Sequence, residues 1–147
     1  MDLSRFKGMK ILVVDDHEPI RRLIRSILKT VAVAHIREVG DGREAIKVLT
    51  DFAPDMALVD IRMKPMGGIE FVQMLRNSDG KDGLPRDLPI IMVTGVEDET
   101  AIMEALKSGA DTVVTKPIMP KALLERMSIG LDNAEKRIAI ASKAASD

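Results

Sequence analysis

Four apolar segments of the sequence end in side chains that can bind a phosphate or a metal ion. Carboxylates stand at the ends of two of them, Asp15-Asp16 and Asp60, and Thr94 and Lys116 stand at the ends of the other two. If these segments are parallel β-strands, their carboxyl ends meet at one edge of a sheet, where ligands of open α/β sheets bind. A carboxylate placed in apolar surroundings needs a partner to keep its charge. The pattern therefore predicts one site, built around Asp60 by four strand ends.

The residue types at these strand ends favour phosphoryl chemistry. Three carboxylates in one crevice raise one another's pKa unless a cation intervenes, and oxygen-rich acidic pockets suit Mg²⁺. With the metal bound, Asp60 can act as a nucleophile toward a phosphoryl group and form an acyl phosphate. Thr94 and Lys116 can each bind a phosphoryl oxygen, and Gly95 leaves space for the group.

The elements that must position these residues follow from the apolar patterning. Five apolar runs alternate with segments of helical periodicity, which predicts a doubly wound five-stranded parallel sheet with five helices on its two faces. We expect the first helix to begin at Pro19. Residues 78–88 form a loop that is longer than usual, and we interpret it as a solvated loop, with a docking feature as the alternative. Residues 1–131 are predicted to form one domain, and residues 132–147 a helical or frayed extension. The predicted strands are residues 10–16, 31–39, 56–60, 90–94 and 112–115.

Composition excludes several classes of function. With 22 basic and 23 acidic residues the net charge is −1, so direct binding of nucleic acid or of an anionic membrane is not expected. Cysteine is absent, which excludes disulfides and thiol chemistry. No apolar run approaches the roughly 18 residues of a membrane span, and the first ten residues do not resemble a signal peptide. We therefore predict a cytoplasmic protein.

Together, the order and spacing of these residues resemble the receiver domains of two-component response regulators, the CheY-like family. The resemblance covers residues 10–131, nearly the whole chain, and includes Met63, Gly68, the Thr94-Gly95 pair and the Lys116-Pro117 pair. It implies a flavodoxin-like fold with strand order 2-1-3-4-5 and a cis bond before Pro117.

The resemblance also assigns roles to the site residues. It implies that Asp60 is the phospho-acceptor, and that Mg²⁺ is bound by Asp15, Asp16, Asp60 and the backbone carbonyl of Arg62. Thr94 and Lys116 would sense the phosphoryl group. The chain would then be a signalling protein and not an enzyme, apart from its own phosphorylation and dephosphorylation.

The expected partners follow from the same resemblance. The phosphoryl donor would be a histidine kinase or a histidine phosphotransfer protein. The output would be contact with a downstream protein through the face of the fourth helix, fifth strand and fifth helix, and phosphorylation can drive formation of a homodimer.

Three positions depart from the family pattern or tune it. Val113 stands where receivers usually carry an aromatic residue, so we expect the activation signal to travel instead through Thr94 and residues 96–98. By the same resemblance, Arg62 and Val96 occupy the two positions that in the family modulate attack of water on the acyl phosphate. Because Val96 cannot orient a water and Arg62 can shield the phosphoryl group, we predict slow self-dephosphorylation.

Several other interpretations stay open. The chain can be the receiver portion of a longer transcription regulator. An aspartate-nucleophile phosphatase of the haloacid-dehalogenase type would need a second acid two residues after Asp60, where Arg62 stands. His17 can be a metal ligand, a phosphoryl carrier or, more simply, an exposed turn residue. His35 has no acidic or histidine companion nearby in the sequence and is expected to be structural or exposed.

Overall fold

The computed structural model describes residues 1–95 and 99–146. A short 3-10 helix, Leu3–Phe6, precedes five strands and five helices. The strands are β1 Lys10–Val14, β2 His35–Val39, β3 Met56–Asp60, β4 Ile90–Thr94 and β5 Thr112–Thr115. The helices are α1 Glu18–Lys29, α2 Gly42–Phe52, α3 Gly68–Arg76, α4 Glu99–Ser108 and α5 Pro120–Ser146.

The strands form one parallel sheet in the order β2-β1-β3-β4-β5. The predicted fold class and strand order are therefore confirmed. In the register of the sheet Asp60 pairs with Val93, and Thr94 pairs with Thr115. Because all strands run in the same direction, Asp60, Thr94 and the residues that follow Val14 and Thr115 lie at one edge.

Alternate residues of the central strands face two separate apolar layers. Ile11 and Val13 of β1 pack with α1 and α5, whereas Leu12 and Val14 of the same strand pack with α2, α3 and α4. Strands buried on both faces read as continuous apolar runs, which is why periodicity alone could not show which residue faces which layer. The sheet is thus covered on both sides, and its carboxyl edge is left for the site.

Two predicted strands and one helix start differ from the structure. The first strand ends at Val14, so Asp15 and Asp16 lie in the connection that follows it. The second strand begins at His35 and not at residue 31, because the chain still turns after α1 and Ala32 has a positive φ of 62°. The first helix begins one residue earlier than predicted, at Glu18, with Pro19 in its first turn.

Helix α5 continues past Leu131 and packs against the edge of the sheet opposite Asp60. Ala134 is buried, and Arg137 Nε donates to Asp111 Oδ1 at 2.9 Å. Arg76 at the end of α3 donates to the other oxygen of the same carboxylate, Asp111 Oδ2, at 3.1 Å. Asp111 is itself buried, so this network joins α3, β5 and α5. From residue 138 onward the described side chains of α5 are exposed.

Candidate phosphoryl-acceptor site

Asp60 is the last residue of β3 and its side chain is almost fully buried, with 6% of it exposed. Burial raises the pKa of this carboxyl, and the charge of Asp15 raises it further, while Lys116 acts in the opposite direction. The backbone of Asp60 packs closely against the start of α3, whose first residue is Gly68. A Cβ at Gly68 would lie 2.3 Å from the Asp60 carbonyl oxygen, so only glycine lets the helix approach this closely.

Lys116 lies between two of the predicted acidic residues. Its Nζ is 3.5 Å from Asp60 Oδ1 and 3.5 Å from Asp15 Oδ2. Its backbone N–H donates to the Thr94 carbonyl at 2.7 Å, which fixes the start of the lysine side chain beside the end of β4. The bond from Lys116 to Pro117 is cis, as the family resemblance implied. A second cis bond, from Lys64 to Pro65, was not predicted.

Asp15 and Asp16 occupy different environments in the connection between β1 and α1. The Asp15 side chain is 2% exposed and that of Asp16 is 45% exposed. Asp15 Oδ1 accepts the His17 backbone N–H at 2.8 Å, whereas Oδ2 accepts no hydrogen bond from the described residues. The pair therefore offers one buried carboxylate, whose Oδ2 lies 3.5 Å from Lys116 Nζ without a hydrogen bond, and one carboxylate that is open to solvent.

Arg21 is a member of the site that the sequence analysis missed. Its Nη1 donates to the Asp15 carbonyl oxygen at 2.5 Å, and its Nε lies 3.5 Å from a carboxylate oxygen of Glu38. Arg25 makes a paired contact with the same Glu38 at 2.6 and 3.0 Å. These arginines looked like part of a solvated helix face. The available signal was position, since Arg21 lies one turn into a helix that starts directly after the Asp15-Asp16 pair.

Thr94 and Arg62 complete the set of predicted site residues. Thr94 ends β4 and is 4% exposed, beside Gly95, which faces the Lys116 side chain with open space around it. Arg62 lies in the connection between β3 and α3 and lines a groove next to Asp16 and Lys64. The structure thus brings the side chains of Asp15, Asp60 and Lys116 together, and it places Thr94 and Arg62 beside this group.

The donor set fits a divalent cation such as Mg²⁺. Hard cations take oxygen ligands, and the crevice offers carboxylates from Asp15, Asp16 and Asp60, two of them beside Lys116. The buried Asp15 Oδ2, without a hydrogen bond from the described residues, is the kind of atom that a cation or its water shell would satisfy. A cation would also offset the effects that raise the pKa of Asp60.

Val113 lies away from this crevice, in the groove that separates α4 from α5. The groove has a volume of about 400 Å³ and is also lined by Ile102, Leu106, Met119 and Arg126. Met119 and Leu106 are well exposed there, at 59% and 47%. At the position where receivers usually carry an aromatic residue, this chain therefore has a surface depression with apolar side chains in its lining. The route predicted for the signal, residues 96–98, lies outside the described residues.

Comparison with known proteins shows the family. The family model for the response regulator receiver domain matches residues 11–128. The phosphate regulon transcriptional regulatory protein PhoB of Pseudomonas aeruginosa is 36% identical over 120 residues, which are 82% of this chain and 50% of PhoB. The DNA-binding response regulator MtrA of Mycolicibacterium smegmatis is 32% identical over 135 residues, 92% of this chain and 54% of MtrA. This chain thus spans about half the length of these relatives.

Solved structures agree with the fold. The chemotaxis response regulator CheY4 of Vibrio cholerae superposes with a TM-score of 0.74 at 27% identity, over 84% of this chain and 99% of that one. A response regulator from Chloroflexus aurantiacus has a TM-score of 0.76 at 24% identity, over 85% of this chain and 99% of that one, and shows the fold alone. In the described part of this chain no helix is both long and apolar enough to span a membrane. The family match, the sheet order and the acidic strand ends lead to one conclusion: this chain belongs to the response regulator receiver domain family.

Proposed function

We propose that the chain is a phosphorylated signalling switch whose acceptor is Asp60. The phosphoryl group comes from a phosphohistidine of a histidine kinase or of a histidine phosphotransfer protein, and Mg²⁺ is required. The observation that carries the proposal is the placement of the buried Asp60 carboxylate 3.5 Å from the Lys116 ammonium, which Asp15 shares.

The transfer is a displacement at phosphorus. A carboxylate oxygen of Asp60 forms a bond to phosphorus while the phosphorus–nitrogen bond of the donor breaks, and the leaving imidazole nitrogen keeps that electron pair and takes up a proton. Phosphoryl transfer depends mainly on positioning and on neutralising charge. Lys116 pairs with one phosphoryl oxygen and the Thr94 hydroxyl donates to another, with Gly95 leaving the necessary space.

Mg²⁺, when bound, supplies positive charge that balances the carboxylates and the incoming phosphoryl oxygens. Asp15, Asp16, Asp60 and the backbone carbonyl of Arg62 are the groups that would hold it. The position of Arg62 beside Asp16 supports this assignment. Apart from its own phosphorylation and dephosphorylation, we propose no enzymatic activity for the chain.

The output is contact with a downstream protein. The groove between α4 and α5, with its exposed Met119 and Leu106, supports this role because apolar side chains at a concave surface can anchor a partner. Phosphorylation-dependent pairing of two copies through the same face is the other form that such contact can take.

A second candidate is the receiver portion of a longer transcription regulator. The relatives named as transcriptional or DNA-binding regulators, of which this chain spans about half, favour it. In that case the receiver contacts DNA only through an additional domain, and both forms act in the cytoplasm. A phosphatase of the haloacid-dehalogenase type is disfavoured because Arg62 stands where a second acid is needed.

Binding of beryllofluoride, a mimic of the phosphoryl group, tests the proposal. We expect NMR shifts at Asp60, Thr94 and Lys116 when beryllofluoride is added with Mg²⁺, and no such shifts in Asp60→Asn. Asp51→Asn is the matched control, because it makes the same change at an exposed position of α2 and should bind normally. Saturable binding that survives in Asp60→Asn, or no binding by the unmodified chain, would contradict the proposal.

A further inference from the structure

Three of the four polar groups of Asp15 take part in hydrogen bonds within the fold. Its backbone N–H donates to the Val39 carbonyl at 3.1 Å, and its own carbonyl accepts a bond from Arg21 Nη1 at 2.5 Å. Its Oδ1 accepts the His17 backbone N–H at 2.8 Å. The fourth group, Oδ2, lies 3.5 Å from Lys116 Nζ, on the side of the acceptor site. The direction of Oδ2 therefore depends on how firmly the rest of Asp15 is held.

The bond from Arg21 is the one among these three that a side chain donates, and this side chain is itself held in place. Arg21 Nε lies 3.5 Å from Glu38 Oε1 on strand β2. Arg25 donates to both oxygens of the same carboxylate, at 2.6 and 3.0 Å. The Arg21 and Glu38 side chains are only 21% and 20% exposed, so solvent screens their attraction less than at an open surface. The Arg21 guanidinium thus links β2 to the backbone of Asp15.

A guanidinium suits this double contact because it presents several N–H donors in a rigid planar arrangement. One nitrogen of Arg21 can face Glu38 while another donates to Asp15. The Asp15 atom in this contact is the carbonyl oxygen, so both carboxylate oxygens stay available for other partners. Arg21 is therefore placed to hold Asp15 without competing for the carboxylate that a cation would bind.

We infer that Arg21 is a positioning residue for the proposed Mg²⁺ site. Held by Glu38, it fixes the backbone of Asp15, so that Oδ2 is directed toward the site before a cation binds. This inference rests on the proposed function, because it concerns how tightly the same carboxylates hold Mg²⁺. A ligand that is already in position loses less conformational freedom on binding, which strengthens the binding. Arg21 acts through Asp15 and is not itself a ligand.

The sign of the change in Mg²⁺ affinity separates positioning from plain electrostatics. Removing a positive charge near the site would by itself strengthen binding of a cation. Loss of a residue that orients a metal ligand instead weakens binding, typically by about tenfold or more. In Arg21→Met we therefore expect calorimetry of the whole chain to show Mg²⁺ affinity reduced by about tenfold.

Arg22→Met is the matched control, because it removes the same charge from the next residue of α1. Arg22 pairs with Glu18 at the surface, where both side chains are more than half exposed. Its replacement should leave Mg²⁺ affinity within about twofold of that of the unmodified chain, since exposed charges are well screened.

Glu38→Gln tests whether Arg21 depends on its partner from β2. We expect weaker Mg²⁺ binding here too, by about threefold or more, although Glu38 belongs to a different strand from Asp15. If Glu38 acts through Arg21, the double variant Arg21→Met, Glu38→Gln binds Mg²⁺ no more weakly than Arg21→Met alone. If Glu38 acts only by its own charge, the two losses of binding free energy add.

NMR of the metal-free chain gives a readout that does not depend on Mg²⁺. The carbonyl carbon of Asp15 should shift in Arg21→Met and in Glu38→Gln, and stay unchanged in Arg22→Met. Urea unfolding in a chelator checks that each variant is folded under the conditions of calorimetry. If Arg21→Met does not fold, Glu38→Gln decides, by the shift of the Asp15 carbonyl together with the loss of Mg²⁺ affinity.

The outcomes distinguish this inference from the proposed function. If folded Arg21→Met binds Mg²⁺ as tightly as the unmodified chain or more tightly, or if the losses from Arg21 and Glu38 add, the inference is wrong. Binding of Mg²⁺ and beryllofluoride by the unmodified chain then still supports the acceptor role of Asp60. If the unmodified chain binds no Mg²⁺, the proposed Mg²⁺ requirement fails and the inference fails with it.

Discussion

Lys116 Nζ lies 3.5 Å from Asp60 Oδ1, although the two residues are 56 positions apart and follow different strands. The same ammonium reaches Asp15 Oδ2 at 3.5 Å. One partly buried cation thus stands between two buried carboxylates. Before any metal binds, the Lys116 ammonium therefore offsets the negative charge of the Asp15 and Asp60 carboxylates. Its removal should lower the stability of the fold as well as weaken phosphoryl binding.

Replacing Lys116 with Met should lower the free energy of unfolding of the metal-free chain by about 2 kcal/mol, because it leaves buried carboxylates without their cation. It should also raise the pKa of Asp60 further, since Lys116 now opposes that rise. Urea unfolding measures the first effect and carboxyl NMR titration the second. Lys121→Met, at a side chain that is 87% exposed, is the control and should change stability by less than about 0.5 kcal/mol. Equal effects of the two substitutions would show that Lys116 does not carry this role.

Asp60→Asn should stabilise the metal-free chain at neutral pH by about 1 kcal/mol, a usual size for a single substitution. The folded chain disfavours the ionised form of Asp60, so its pKa lies above the ordinary value of 3.8. The cost of the charge is present above the folded pKa and disappears as the pH falls through it toward 3.8. The extra stability of Asp60→Asn over the unmodified chain should therefore disappear as the pH falls. Urea unfolding at several pH values in a chelator checks this, and an advantage that grew on acidification would contradict it.

The sequence predicted the positions of the candidate site residues in the fold better than it predicted the residues that support them. Asp60, Thr94 and Lys116 could be located because parallel strands deliver their last residues to one edge, whatever the details of packing. The contact of Arg21 with the Asp15 carbonyl was missed, because an arginine on an amphipathic helix looks the same whether it is solvated or bonded. The second strand was predicted to start too early because Val31 and Val33 are apolar, although they belong to the turn and not to the sheet.

The network around Asp111 shows the same limit. Arg76 and Arg137 are far apart in the sequence and both reach Asp111 only because the end of α3 and the second half of α5 pass the residue before β5. Burial, together with the repulsion of Arg137, lowers the pKa of Arg76 to about 10, so Arg76 stays protonated at neutral pH. No local pattern marks such a pair, since each residue alone reads as part of an exposed charged surface.

Asp111→Asn should lower the free energy of unfolding by about 3 kcal/mol, because removing one partner leaves a buried charge without compensation. Arg76 has only 12% of its side chain exposed and would lose the carboxylate. Asp87→Asn is the matched control, because Asp87 pairs with Arg137 at 3.5 Å but is 54% exposed. Its loss should cost less than about 1 kcal/mol. Chemical unfolding of the two variants measures both free energies. Equal losses of stability would mean that the burial of Asp111 does not determine how much its contacts stabilise the fold.

Truncation tests whether residue 131 is the true end of the domain, as predicted from the sequence. A chain ending at residue 131 loses the buried Ala134, Arg137 and the hydrogen bond that Asn133 Nδ2 donates to the Asp111 carbonyl at 2.9 Å. We expect it to be less stable by about 2 to 4 kcal/mol. Among the side chains whose burial is described, a chain ending at residue 138 loses only the exposed ones at 139–145, and it should stay within about 0.5 kcal/mol. Equal stability of the two truncated chains would support the predicted domain boundary at residue 131.

The lifetime of the phosphorylated chain tests the roles assigned to Arg62 and Val96. Arg62 lines the groove beside Asp16, from where a long side chain can cover the phosphoryl group. Val96 lies outside the described residues, and its role is predicted from its type, because a valine cannot orient a water molecule. The Arg62→Asn, Val96→Glu variant should therefore lose its phosphoryl group about tenfold faster or more, since an oriented water is a typical source of acid–base assistance.

Loss of radioactive phosphate from the purified phosphorylated chain gives this rate directly, in the presence of Mg²⁺. The single variants separate shielding by Arg62 from the lack of a polar group at Val96. Arg43→Asn is the matched control for Arg62→Asn, because Arg43 is exposed on α2 and its replacement makes the same change of charge as that single variant. It should leave the lifetime unchanged. A phosphorylated form that lasts longer in the double variant than in the unmodified chain would show that Arg62 and Val96 do not protect the acyl phosphate from water.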